Sequence, residues 1–269
     1  MLNHLTNVQK ALLYLGIVCI FMFLLLVLPI PRSTALFMFV PLASAVAAMA
    51  LTGQAFAASG WKRLGLHRPA WKSLAPAFLI PLAPIAGGYA VVWATGLGTF
   101  GLPAAYEGKE LELFIGFFVT MLISALTVTL GEEAGWRGYL ASNLEGLAFP
   151  AALLANGFVW GLFHLPVMLL TDLYHSDVNP LAYVPLFLIT VTLAGAFMTY
   201  LRYRTGSVWP PIVAHTVHNV AWNYGDLLTG EPHEAVPYVT GDAGAALILF
   251  YAGLFLWIVT KGRLPAWNR

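Results

Sequence analysis

The sequence predicts an all-α, polytopic membrane helix bundle of about eight transmembrane helices, and three observations lead there. Hydrophobic residues fill 59% of the 269 positions and charged residues only 9%, whereas soluble domains carry about 25% charge. The apolar runs are each about 20 residues long, the length that crosses a hydrocarbon core. None alternates with period two, as barrel strands would. In lipid only a helix or a closed barrel satisfies every backbone group, so the runs are helices.

The expected spans follow in order. The first, about 10–30, is longer than the apolar part of a signal peptide and no small-residue cleavage site follows it, so it reads as a retained span. It holds the single cysteine, Cys19, which excludes an intrachain disulfide and reads as packing. The second, 34–58, precedes a loop bearing Lys62, Arg63, Arg68 and Lys72. The third covers 74–97, and the fourth, 112–131, has no charge between Leu113 and Leu130. The fifth, 149–171, contains Pro166 as a kink or end; the sixth is 181–201. Pro210-Pro211 opens the seventh, 207–225, and the eighth is 243–260. Ala155, Gly157, Gly161 and Ala214 are small enough to let helices approach closely. No linker or internal repeat divides the chain, so 1–269 is expected to be a single integral membrane domain.

Charge is ordered along this layout. The basic loop at 59–73 belongs in the cytoplasm by the positive-inside rule, and alternation then puts both termini there. Lys10, Arg137, Arg202, Arg204, Lys261, Arg263 and Arg269 also fall inside, and of thirteen basic residues only Arg32 and Lys109 fall outside. Glu107, Glu110, Glu112, Asp172, Asp177, Asp226, Glu231, Glu234 and Asp242 fall outside, leaving Glu145 and the Glu132-Glu133 pair as acidic exceptions. One span more or fewer would scramble this sorting. Short loops and this orientation suit a bacterial inner membrane.

Three polar clusters interrupt the apolar spans. Glu132 and Glu133 end the fourth span, where carboxylates cost several kcal/mol unless paired or solvated in a cavity. If the helix continues, Glu133 and Arg137 share a face and form a charge-assisted pair. Glu132 then points about 100° away, into the bundle, free to move protons. The alternative is a solvated helix end with an intrahelical salt bridge. His164, two residues before Pro166, is either a hydrogen-bonded core histidine or a catalytic group. His215 and Asn219, four apart on one face, suit binding of a carbonyl or developing oxyanion, or else an interhelical hydrogen bond; His218 beside them reads as packing or support. The chain has no His-Glu-x-x-His, no Gly-x-Ser-x-Gly elbow, no phosphate loop and no basic patch for nucleic acid.

Glu132-Glu133-x-x-x-Arg137, then aromatic-x-x-x-His ending at His164, then His215-x-x-x-Asn219, resemble the CAAX prenyl endopeptidase type II family, also called CPBP intramembrane proteases. The resemblance covers about 112–225. It implies a helical membrane core with a conical cavity open to the cytoplasm. It further implies that Glu132 activates water with His164 assisting, that His215 and Asn219 stabilise the oxyanion, and that Glu133 and Arg137 support them. The second motif commonly begins with Phe where this chain has Trp160, a change expected to alter pocket shape before chemistry. No cofactor is certain. A carboxylate and two histidines suit a divalent metal such as zinc, as in a metalloprotease-like site, and a metal-free glutamate mechanism uses the same residues.

The resulting expectation is an intramembrane endopeptidase acting near the cytoplasmic membrane face. Its partners are the lipid bilayer and a CAAX-like, lipidated or hydrophobic peptide substrate, with no nucleic acid. In a bacterium, processing of signal or bacteriocin-like peptides, or self-immunity, fits better than true prenylated substrates. The rivals are a non-catalytic binding or scaffold protein of the same fold, and a small proton-coupled transporter. Transport is disfavoured because no inverted repeat or paired broken helices are found.

Overall fold

The computed structural model describes residues 2–69, 71–174, 178–262 and 264, and these are helical almost throughout. Asp177, Arg263 and Arg269 of the predicted charge sorting lie outside the described residues. Helix α1 (Asn7–Val27) begins at a capping box in which Thr6 and Gln9 bond each other's backbone N–H. Ser33 caps α2 (Thr34–Leu51). The second expected span overran this helix: Gly53 turns the chain at φ 75°, and a short surface helix, α3 (Ala58–Arg63), follows. Helix α4 (Leu74–Ala94) then crosses back, with Pro81 and Pro84 inside it.

The fourth span departs most from expectation. Helix α5 (Glu110–Leu126) breaks at Thr127, whose φ −126° and ψ −97° are not helical. The chain resumes as α6 (Val128–Glu133), widens into a π-helical segment (Ala134–Leu140) and closes as α7 (Ala141–Leu144). The glutamate pair is therefore not at a helix end; it lies inside the helical run, buried in the bundle. Helices α8 (Phe149–Leu170) and α9 (Pro180–Thr205) form an antiparallel pair, α9 starting at Asn179–Pro180 and stopping at Gly206 in the left-handed region. Helix α10 (Trp209–Leu227), the short α11 (Val236–Val239) and α12 (Ala245–Lys261) complete the chain.

A described helix stands at each of the eight expected positions, but fewer than eight qualify as spans by length and composition. Six described stretches are long and apolar enough to cross a membrane: Asn7–Val27, Thr34–Leu51, Trp71–Ala94, Glu110–Leu144, Phe149–Leu170 and Pro180–Thr205. Helix α12, at 17 residues, is shorter. Helix α10 carries His215, His218, Asn219, Asn223 and Asp226, so it is too polar for lipid and packs inside the bundle, against α4, α5 and α9. Leu12, Phe23, Phe114, Leu122 and Leu249 lie among the apolar side chains left on the outer surface, as in a protein whose solvent is hydrocarbon. The chain is an integral, multi-pass membrane protein.

Hydrogen bonds fix the two ends of the bundle. At one end Arg202 reaches the Arg63 and Arg137 carbonyls, Ser207 donates to the His67 carbonyl, and Trp209 donates to the Leu66 carbonyl. At the other, β1 (Thr99–Phe100) pairs antiparallel with β2 (Thr229–Gly230), Trp93 donates to Thr229, and His233 N–H donates to the Leu97 carbonyl. The first end carries the lysines and arginines of 62–72 and 202–204; the second carries most of the acidic residues.

Candidate active site

The site assembles around the two glutamates, which meet different neighbours. Arg137 Nη1 donates to Glu133 Oε1 at 2.7 Å, and His215 Nδ1 donates to the same oxygen at 2.9 Å. All three side chains are at most 2% exposed. The arginine also lies over the Trp160 ring, 4.5 Å from its centroid. Glu132 accepts the Trp160 indole N–H on Oε2 at 2.8 Å, and among the described residues its Oε1 has no hydrogen-bond partner. Glu133 is thus held by Arg137 and His215, whereas Glu132 bonds Trp160 instead.

The π-helical segment explains how Arg137 meets this network. Ala141 N–H bonds the Trp136 carbonyl, five residues back, and that carbonyl also accepts Asn156 Nδ2 at 2.9 Å. The next carbonyl, of Arg137, accepts Arg202 Nε at 3.0 Å. Single wide turns of this kind are uncommon and recur at functional sites. Glycines make the fit tight: a side chain at Gly135 would meet Pro41 of α2 at 2.5 Å, and one at Gly195 would meet Gly157 Cα at 2.6 Å and Arg137 Nη2 at 2.9 Å.

His164 and Asn219 complete the set. His164 Nδ1 lies 2.8 Å from the Trp160 carbonyl, which only accepts, so the neutral ring carries its proton there and turns its Nε2 lone pair elsewhere. The His164 and His215 rings flank Trp160, with centroids 5.5 and 5.0 Å from it. Asn219 is half-buried one turn beyond His215, and its carboxamide has no partner among the described residues. Glu132, His164, His215 and Asn219 all line one cavity of about 560 Å³, with Trp160 in its wall. Glu133 and Arg137 do not line it; they sit behind His215.

Several lining groups carried no signal in the sequence. The cavity also takes Thr34, Phe37 and Met38 from α2, Tyr174 from the α8–α9 loop and Asp242 from the segment before α12. His218 Nε2 bonds Asp242 Oδ1 at 2.6 Å, and the Tyr174 hydroxyl donates to Asp242 Oδ2. Burial pushes the Tyr174 phenol well above its ordinary range, and the adjacent Asp242 adds to the shift, so the hydroxyl keeps its proton. Trp160 was legible as an aromatic position, but not as a hydrogen-bond donor to Glu132.

Among the described residues no three His, Cys, Asp or Glu side chains are disposed to hold a metal ion. What the arrangement offers is a cavity-facing carboxylate, two imidazole edges and an amide donor in an apolar wall.

A search of curated proteins finds no match to the chain. Residues 114–221 match the family model described as Type II CAAX prenyl endopeptidase Rce1-like, a span that begins in α5 and ends in α10 and takes in all six site residues. This stretch, flanked on both sides by further helices of the bundle, is what the chain shares with the type II CAAX prenyl endopeptidase, Rce1-like family, to which it is similar.

Proposed function

We propose that this protein is an intramembrane endopeptidase that hydrolyses a peptide bond of a membrane-associated substrate, using water activated by Glu132. The observation that carries the reading is the convergence of Glu132, His164, His215 and Asn219 on one cavity, with Glu133 and Arg137 behind them. A pocket of this size with a few convergent polar groups in an apolar wall suits a peptide segment.

Glu132 Oε1 takes a proton from water as the water oxygen attacks the scissile carbonyl carbon. His164, with Nδ1–H committed to the Trp160 carbonyl, assists through Nε2 by accepting a hydrogen bond from that water. The carbonyl oxygen, now an oxyanion, receives N–H donors from Asn219 Nδ2 and His215 Nε2. His215 already donates Nδ1–H to Glu133, so it donates from Nε2 only as an imidazolium, and the Glu133 carboxylate stabilises that cation. Collapse breaks the C–N bond, and the proton held by Glu132 passes to the leaving amine. Water is consumed and two peptide ends are released. No step is routed through a metal.

The test is hydrolysis of a quenched fluorescent, lipidated peptide by purified protein, wild type beside Glu132→Ala, with and without a chelator. The expected result is turnover by the wild type under both conditions and a loss of at least about 100-fold in the variant, whose melting temperature stays near that of the wild type. Activity retained in the variant removes Glu132 as the base. Loss on chelation points to a bound metal. No turnover of lipidated and unlipidated peptides by the wild type favours a non-catalytic binding protein.

A further inference from the structure

The cavity has a direction. Along α8 its lining runs from Trp160 through His164 to Val167, and along α10 from His215 through Asn219 to Asp226, in both helices away from the basic end. It continues into Leu173, Tyr174 and Val178 of the α8–α9 loop and into Val236 to Asp242, and takes α2 only at its beginning. No lining residue comes from 52–73, 134–158 or 199–214, the segments that form the basic end. There the floor is closed by the fully buried Trp136 and Arg137 and by Arg202, bonded to the Arg137 carbonyl.

The two ends differ sharply in charge. Lys62, Arg63, Arg68, Lys72, Arg202, Arg204 and Lys261 stand at the closed end, with Glu145 as its acid. Glu107, Glu110, Asp172, Asp226, Glu231, Glu234 and Asp242 stand at the open one, with Arg32 and Lys109 as its cations. Lysine and arginine in short loops mark the cytoplasmic side. The two sequence expectations, basic loops inside and a cavity open to the cytoplasm, therefore do not hold together in this fold.

We infer that the cavity opens on the extracytoplasmic side of the membrane, and that its substrate is a peptide segment anchored in, or just translocated across, the outer half of the bilayer. The inference rests on the peptidase reading for the word substrate, but not for the direction of the mouth. A lipidated C-terminus held at the cytoplasmic leaflet would face the closed end of the molecule, beyond Arg137 and Arg202. Segments reaching Glu132 arrive instead past Tyr174, Asn223 and Asp242, after some other machinery has moved them across.

Two measurements test this. In a Cys19→Ser background, single cysteines replace two exposed residues outside the site, Glu234→Cys at the open end and Lys62→Cys at the closed end. Intact cells are treated with a membrane-impermeant maleimide before and after permeabilisation. The expected result is labelling of Glu234→Cys in intact cells and of Lys62→Cys only after permeabilisation; the reverse pattern overturns the inference. In parallel, one cleavable peptide is fused to a single-span anchor on its extracytoplasmic or its cytoplasmic side. Cutting of the extracytoplasmic fusion alone, lost with Glu132→Ala, supports the proposal, and cutting of the cytoplasmic fusion alone overturns it. If neither fusion is cut while the labelling is as expected, the direction of the mouth stands. The peptidase reading, and with it the assigned substrate, falls.

Discussion

Trp160 joins the two halves of the site by two contacts: its indole N–H reaches Glu132 Oε2 at 2.8 Å, and its ring lies under the Arg137 guanidinium. Trp160→Phe separates them, keeping an aromatic face for the arginine while removing the donor. A hydrogen bond to a charged group contributes about 1.5–3 kcal/mol. If the carboxylate needs that restraint during water attack, kcat falls by about 10- to 100-fold with KM little changed. Steady-state kinetics decide it, since an unaltered kcat would reduce Trp160 to shape. Arg137 is a different case. Its Nε and Nη2 find no hydrogen-bond partner in the buried site, so the ion pair with Glu133 and the ring contact are its main compensation. Arg137→Met strands Glu133 against His215 in an apolar surrounding. A loss of about 3–5 kcal/mol is expected from breaking such a pair, seen as a large drop in the thermal midpoint of the detergent-solubilised protein. The sequence announced the Glu133–Arg137 pair through spacing alone, because four residues is a local property of a helix. It did not announce His215 as the second partner of Glu133, 82 positions further along.

Among the elements, the crossing of α8 and α9 and the π-helical segment set the position of Arg137. Gly157 and Gly161 look alike in the sequence as small residues for close approach, yet their surroundings differ. A side chain at Gly157 would run into the Thr192 carbonyl of α9, whereas one at Gly161 would meet Leu188 Cδ2 at 3.1 Å, the far end of a flexible side chain. Gly195, opposite Gly157, has no room either. Gly195→Ala should cost about 1–3 kcal/mol by overpacking and reduce activity as well, because the new methyl presses on Arg137. Gly161→Ala should leave both near wild type. Melting curves and turnover of the two variants, compared side by side, check this; equal effects would mean the crossing relaxes freely. The π-helical turn has no counterpart in the sequence pattern. Ala134–Leu140 carries no residue that forbids an ordinary helix. The widening accompanies bonds to its carbonyls from Asn156, 20 positions away, and Arg202, 65 positions away. Such long-range contacts are what local spacing cannot report.

For the whole molecule, the positions of the helices and the sorting of charge between the two ends were open to reading. Apolar runs, prolines, glycines and loop lysines each act within a few residues of where they stand. The full cavity wall was not, because beside the polar clusters it draws on the start of α2 and two loops, none of which is distinctive alone. The break at Thr127 was missed for the same reason: nothing in Leu126-Thr127-Val128 forbids a continuous helix. One feature of this assembly reaches beyond hydrolysis. A polar cavity entered from one side and floored by Trp136, Arg137 and Arg202 thins the insulating part of the membrane to that floor. Once the cavity is wet, most of the transmembrane voltage falls across that floor instead of the full bilayer. A charge moved through the whole potential gains or loses about 2.3 kcal/mol per 100 mV. The Glu133–Arg137–His215 cluster therefore sits where the field is steepest, and its close packing doubles as an electrical seal against ion leakage.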